Sequence, residues 1–131
     1  MFLPTTKFLI ADDMITMRKL VKKSLTDMGF SSFEEAADGN LAWLKLSEQP
    51  DIGFIVSDWN MPNSTGLDFL KRVRSDAKFK ALPFLLLTAE AEGAQVKEAL
   101  IAGVDGYVVK PYTTVSLKEQ IEKIFKKRSA G

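Results

Sequence analysis

An open, doubly wound α/β fold made of five βα units is the class that this 131-residue sequence predicts. Three observations predict it. Short apolar runs take turns with stretches of helical spacing along the whole chain. The runs are continuous rather than alternating, as strands buried on both faces of a parallel sheet are. There are five of each in strict βα order, too few for a closed eight-stranded barrel, so the sheet stays open and its crossovers are right-handed.

The first strand is Lys7 to Ala11 (KFLIA). Met17, Leu20, Val21, Leu25 and Met28 then mark one face of a helix, and Gly29 after them is placed to take the left-handed cap. With Met14, the methionines of this region read as core filler. A weaker strand, Phe33 to Ala37, precedes a helix over about Asn40 to Glu48. The third strand is Asp51 to Ser57 (DIGFIVS), followed by a helix over about Thr65 to Asp76. Pro83 to Thr88 is the fourth strand, and Val96, Ala99, Leu100 and Gly103 repeat the helical pattern after it. Gly106 to Val109 (GYVV) is the fifth. The last helix carries Leu117, Ile121, Ile124 and Phe125, with Thr113 or Ser116 as N-cap and Glu119 completing a Ser-x-x-Glu box.

Composition narrows the chemistry. Cys and His are both absent, which excludes disulfides, thiolate nucleophiles and the commonest metal ligands and near-neutral acid/base. Eighteen Lys and Arg against 17 Asp and Glu leave a net charge of +1, no field for drawing the chain onto nucleic acid or anionic lipid. No stretch free of charged side chains exceeds nine residues, far short of the ~20 that cross a membrane. The N-terminus lacks the pattern of a signal peptide, and a soluble cytoplasmic protein is expected. Residues 1–131 read as a single domain with no linker and no output domain, and Lys126, Lys127 and Arg128 as a solvated helix end.

In a doubly wound sheet ligands bind outside the carboxyl ends of the strands. Here those ends are polar: Asp12 and Asp13 after the first, Asp58 after the third, Thr88 after the fourth and Lys110, before Pro111, after the fifth. Singly, each has an ordinary explanation as a helix cap or surface charge. Together they converge if the strand order is 2-1-3-4-5, within a few spacings of ~4.8 Å. Three carboxylates near 4 Å repel by about 4 kcal/mol per pair at an effective dielectric of 20, and Lys110 returns only one positive charge. The remainder suits a divalent cation, and a set of carboxylates without His or Cys selects a hard ion, Mg²⁺. A cation beside a carboxylate, a lysine and a hydroxyl equips a site for phosphoryl transfer, with an aspartate as nucleophile.

Asp12-Asp13, VSDWNMPN around Asp58, LLLTAEA around Thr88 and AGVDGYVVKPYT around Lys110 resemble the receiver domains of bacterial two-component response regulators, most of all the single-domain chemotaxis type. The likeness covers nearly the whole chain. It implies a single-domain (βα)5 flavodoxin-like fold with a five-stranded parallel sheet in the order 2-1-3-4-5. It also implies that Asp58 accepts a phosphoryl group from a phosphohistidine on a sensor histidine kinase. Asp12, Asp13, Asp58 and the backbone carbonyl of Asn60 would hold Mg²⁺, Asp12 through water. Lys110 would pair with Asp58 and then with the phosphoryl group, Thr88 would move to bond it, and Tyr107 would follow. Lys110-Pro111 would be cis, and Asn60 and Glu90 would tune the lifetime of the acyl phosphate. The chain departs from the family at Ser64-Thr65, which reads as a changed helix cap, at Glu92-Gly93, and at Tyr112, where Phe is common.

The function implied is a switch that catalyses only its own phosphorylation and dephosphorylation, a monomer that signals by binding. Its partners would be the kinase, the flagellar motor switch or another phosphorylation-dependent target, and a phosphatase. A receiver of another pathway or a phosphate sink is the near alternative. A haloacid dehalogenase-type hydrolase needs a second aspartate two positions after the nucleophile, and Asn60 stands there. A flavodoxin-like FMN carrier would have its phosphate repelled by Asp12 and Asp13. No Walker loop is present for a nucleotide donor.

Overall fold

The computed structural model describes residues 4–89 and 94–130 (side chains to 128) and has the expected alternation of elements. These are β1 (Lys7–Ala11), α1 (Ile15–Asp27), β2 (Ser32–Ala36), α2 (Gly39–Glu48), β3 (Ile52–Asp58), α3 (Gly66–Ser75), β4 (Phe84–Thr88), α4 (Ala94–Ile101), β5 (Gly106–Val109) and α5 (Thr114–Ala130). The five strands form one parallel sheet in the order β2-β1-β3-β4-β5.

Because successive strand side chains point to opposite faces, the continuous apolar runs feed two cores. Phe8, Ile10, Phe54, Val56, Leu85 and Leu87 point to one face, where Val21 and Leu25 of α1 and Leu117, Ile121 and Ile124 of α5 cover them. Leu9, Ala11, Ile55, Phe84 and Leu86 point to the other, against Leu46 of α2, Phe69, Leu70 and Val73 of α3, and Ala99 of α4. On the first face Phe8 meets Phe30 edge-on at 4.7 Å between centroids, and Phe54 meets Phe125 at 5.6 Å.

The helix ends follow local chemistry. Gly29 has φ +101° and Phe30 N–H returns to the Leu25 carbonyl at 3.1 Å, so α1 ends on the expected left-handed glycine. Thr65 caps α3 by accepting from Asp68 N–H, and the Asp68 carboxylate reaches back to Thr65 N–H. That bears out the reading of Ser64-Thr65 as a changed cap.

Two expectations need correction. The cap of α5 is Thr113, whose hydroxyl accepts from Ser116 N–H at 3.1 Å while the Ser116 hydroxyl accepts from Thr113 N–H at 2.9 Å. Ser116 thus occupies the third helical position, and the Ser116–Glu119 box does not form because the helix has already begun. Met14 is 55 % exposed rather than core filler, since it sits at the N-cap of α1 before the apolar stripe starts. Leu20 and Leu100 share the stripe spacing yet lie at its solvent edge.

Candidate functional site

The strand register brings the polar residues to one edge. Ala11 pairs with Ser57, so Asp12 and Asp58 each stand one residue beyond that pair; Asp58 pairs with Leu87 and Thr88 with Val109, which Lys110 follows. Backbone bonds continue the register, with Trp59 N–H donating to the Leu87 carbonyl at 2.9 Å and Lys110 N–H to the Thr88 carbonyl at 2.7 Å. Asp12, Asp58 and Thr88 are buried, Lys110 is partly covered, and Asp13 and Asn60 are exposed. The peptide between Lys110 and Pro111 is cis.

The carboxylates of Asp12, Asp13 and Asp58 each offer an oxygen within 4.8 Å of the others. Asp58 Oδ1 accepts from Lys110 Nζ at 2.6 Å. Burial nevertheless pushes the Asp58 pKa up, against the lowering by the Lys110 ammonium and the Trp59 amide. Asp12 is pushed up to about 6, first by burial and then by the charges of Asp58 and Asp13, with Met14 N–H and Lys110 opposing. A pocket that holds carboxylates against their own repulsion is one that a cation relieves.

One atom bears directly on the ion. Asp12 Oδ1 accepts from Met14 N–H at 2.9 Å, but Oδ2 is buried with no hydrogen-bond partner. A buried carboxylate oxygen without a partner costs on the order of 1–3 kcal/mol. A divalent cation, or water held by one, supplies what that oxygen lacks. The donor set is all oxygen, which fits Mg²⁺.

The loop between β3 and α3 is braced from beneath. Asn63, at φ +66°, donates through Nδ2 to Asp38 Oδ2 at 3.0 Å, while Asp38 Oδ1 caps α2 by accepting from Leu41 N–H. Those two donors hold the Asp38 carboxyl below its usual range. Gly66 N–H donates to the Trp59 carbonyl at 2.9 Å, and a Cβ on Gly66 would collide with the Asp58 carbonyl oxygen. Arg18 donates to the Asp12 carbonyl at 2.6 Å and to Glu35 at 3.0 Å, fixing the end of β1. Sequence spacing held no signal for Asp38, Arg18 or Gly66, whose partners lie on other elements.

Tyr107 is half-buried on β5 and borders a groove of about 640 Å³ shared with Leu100, Pro111 and Gln120. It is not part of the acid pocket. The Tyr112 ring packs on the α1–α5 face, and its hydroxyl is buried without a partner. In the sequence alone Tyr112 stands out only as a departure from the receiver pattern. Glu90 lies outside the described residues.

The profile of the response regulator receiver domain family matches residues 8–122. The chain is 51% identical over 121 residues to the chemotaxis protein CheY of Pseudomonas aeruginosa, covering 92% of this chain and 97% of that one. Among solved structures it is similar to the chemotaxis response regulator CheY4 of Vibrio cholerae, with TM-score 0.83, 35% identity, and coverage of 92% and 98%. It is also similar to a chain of the CheX–CheY–BeF3–Mg complex from Borrelia burgdorferi, with TM-score 0.85, 26% identity, and coverage of 92% and 89%.

Proposed function

The chain belongs to the response regulator receiver domain family, CheY-like in type, and from that premise we propose that it is a phosphorylation-activated switch whose acceptor is Asp58. The observation that carries the reading is the 2.6 Å bond from Lys110 Nζ to a buried Asp58 carboxylate that shares its pocket with two further aspartates.

An Asp58 carboxylate oxygen attacks the phosphorus of a phosphohistidine on a sensor histidine kinase. The P–N bond breaks, its electron pair stays with the imidazole, and an acyl phosphate forms on Asp58. Residues 1–131 contain no His, so none of them is the phosphohistidine donor. Asp12, Asp13, Asp58 and the Asn60 carbonyl are the groups that would hold Mg²⁺, which when bound neutralises charge on the phosphoryl oxygens. Lys110 passes its hydrogen bond from the carboxylate to a phosphoryl oxygen, and the Thr88 hydroxyl, at the end of the adjacent strand, donates to another. Asn60, two residues past Asp58 in sequence, and Glu90, two past Thr88, would tune how fast the acyl phosphate hydrolyses. The acyl phosphate adds about −1.5 to −2 of charge near pH 7. Movement of Thr88 frees space into which the Tyr107 ring turns, and the altered face binds a target, the flagellar motor switch in chemotaxis.

Trp59 adjoins the acceptor and reports on it. Mg²⁺ with acetyl phosphate is expected to change Trp59 emission and add the mass of one phosphoryl group to Asp58, and Asp58→Asn to abolish both. A modified peptide that excludes Asp58, or an unchanged response in the variant, overturns the assignment. Binding to a motor-switch peptide only in the presence of beryllofluoride and Mg²⁺ tests the output.

A further inference from the structure

Residues 60–65 join β3 to α3 without regular structure, and they are pinned at two places. At the base, Gly66 N–H donates to the Trp59 carbonyl at 2.9 Å. At the apex the loop leans on the start of α2: Asn63 Nδ2 donates to Asp38 Oδ2 at 3.0 Å, and the Ser64 carbonyl accepts from Gly39 N–H at 3.2 Å. The approach is so close that a Cβ on Gly39 would collide with Ser64. Asp38 is buried, and its other oxygen accepts from Leu41 N–H at 2.8 Å. Capping α2 takes one oxygen only, so the bond from the second to Asn63 calls for its own reason. Asn63 is, among the described residues, the one non-glycine residue at positive φ. Such a conformation costs free energy, and it persists where the surroundings hold it.

Resting on the reading of the pocket as a Mg²⁺ site, we propose that Asp38 and Asn63 are positioning residues for that site: their bond fixes the loop that carries the Asn60 carbonyl. Neither residue touches the ion. A loop tied only at its base turns about that tie, and Asn60, three residues before Asn63, turns with it. Pinning the apex removes this freedom. Mg²⁺ demands near-octahedral geometry, so a carbonyl set in place beforehand spares the binding step the cost of ordering the loop.

The test is a Mg²⁺ titration of the full chain followed by Trp59 emission, with urea unfolding in Mg²⁺-free buffer beside it. Asn63→Gly accepts the positive φ and leaves the Asp38 cap of α2 intact, so it removes the bond and little else. It is expected to weaken Mg²⁺ binding by about threefold to tenfold, the worth of one hydrogen bond. Asn63→Asp sets two carboxylates against each other. Its added negative charge alone would tighten cation binding, so the loss of affinity expected there reports the loop and not the charge. Asp38→Asn in that background exchanges donor and acceptor, keeps an oxygen for Leu41 N–H, restores the wild-type net charge and should return the affinity to the wild-type value. Wild-type affinity in Asn63→Gly, tighter binding in Asn63→Asp, or no recovery in the exchanged pair overturns the inference alone. So does a fall in unfolding free energy with Mg²⁺ affinity unchanged, which would make the bond a brace of the fold only. A wild-type protein that shows no Mg²⁺ response overturns the inference together with the metal-site reading.

Discussion

Asp12 shows how a single residue can be set against the stability of its own fold. Its carboxyl is pushed up to about 6 in the native protein, while an unfolded aspartate titrates near ~3.9. Between those values the native state binds more protons than the unfolded one, so this group makes stability fall as pH rises from about 4 to about 6, and the deficit persists above that. Asp12→Asn keeps an oxygen for Met14 N–H and removes the charge. In Mg²⁺-free buffer at pH 7.5 it is expected to raise the urea-unfolding free energy by on the order of 1–3 kcal/mol, and to flatten the decline between pH 4 and 6. A variant no more stable than wild type would show that the charge is not what burdens the pocket. The acid cluster was readable from sequence because all of its members lie at strand ends, where the topology alone brings them together. The orphaned oxygen on Asp12 was not, because it depends on which lone pair Met14 N–H happens to occupy.

At the level of elements, strands were more legible than helix faces. β1, β3 and β4 are buried on both sides, and an uninterrupted apolar run marks each of them; β5, an edge strand mostly of intermediate burial, carries a short apolar run as well. β2 is an edge strand of intermediate burial carrying Glu34 and Glu35, and its signal was correspondingly weak. Leu20 and Leu100 misled because a periodic pattern does not say where a stripe meets solvent. Gly66 was silent because its reason lies on another element: the first turn of α3 packs against the backbone of Asp58 so closely that no Cβ fits. Gly66→Ala must push α3 away from the end of β3, and is expected to lower stability by about 2–4 kcal/mol in urea melts. It should also weaken Mg²⁺ binding, because the Asn60 carbonyl moves with the loop. A variant with wild-type stability would mean that α3 yields without cost.

Over the whole molecule, a second charged cluster lies at the edge of the sheet opposite the acid pocket. The Asp105 carboxylate accepts from Arg74 at 2.9 Å, from Arg128 at 2.9 and 3.1 Å, and from the amide of Phe84 at 2.8 Å. Arg74 also donates to the carbonyls of Gly103, Lys80 and Leu82. Four segments are joined there: the end of α3, the start of β4, the turn before β5 and the last turns of α5. Positions 31 and 23 residues apart carry no local signal, so nothing in the sequence foretold the cluster. Asp105→Ala would leave Arg74 half-buried and unpaired and the Phe84 amide without an acceptor. It is expected to cost on the order of 3 kcal/mol in urea unfolding, with the Mg²⁺ affinity of the distant pocket unchanged. A joint loss would show that the two ends of the sheet are coupled.

That cluster has a mechanical consequence for β5. The strand is four residues long, clamped at its foot by two arginines on Asp105 and tipped at its head by Lys110, whose ammonium holds the Asp58 carboxylate. A short beam fixed at one end and loaded at the other swings most at the free end, so a pull on the Lys110 side chain is expected to displace Val109 more than Gly106.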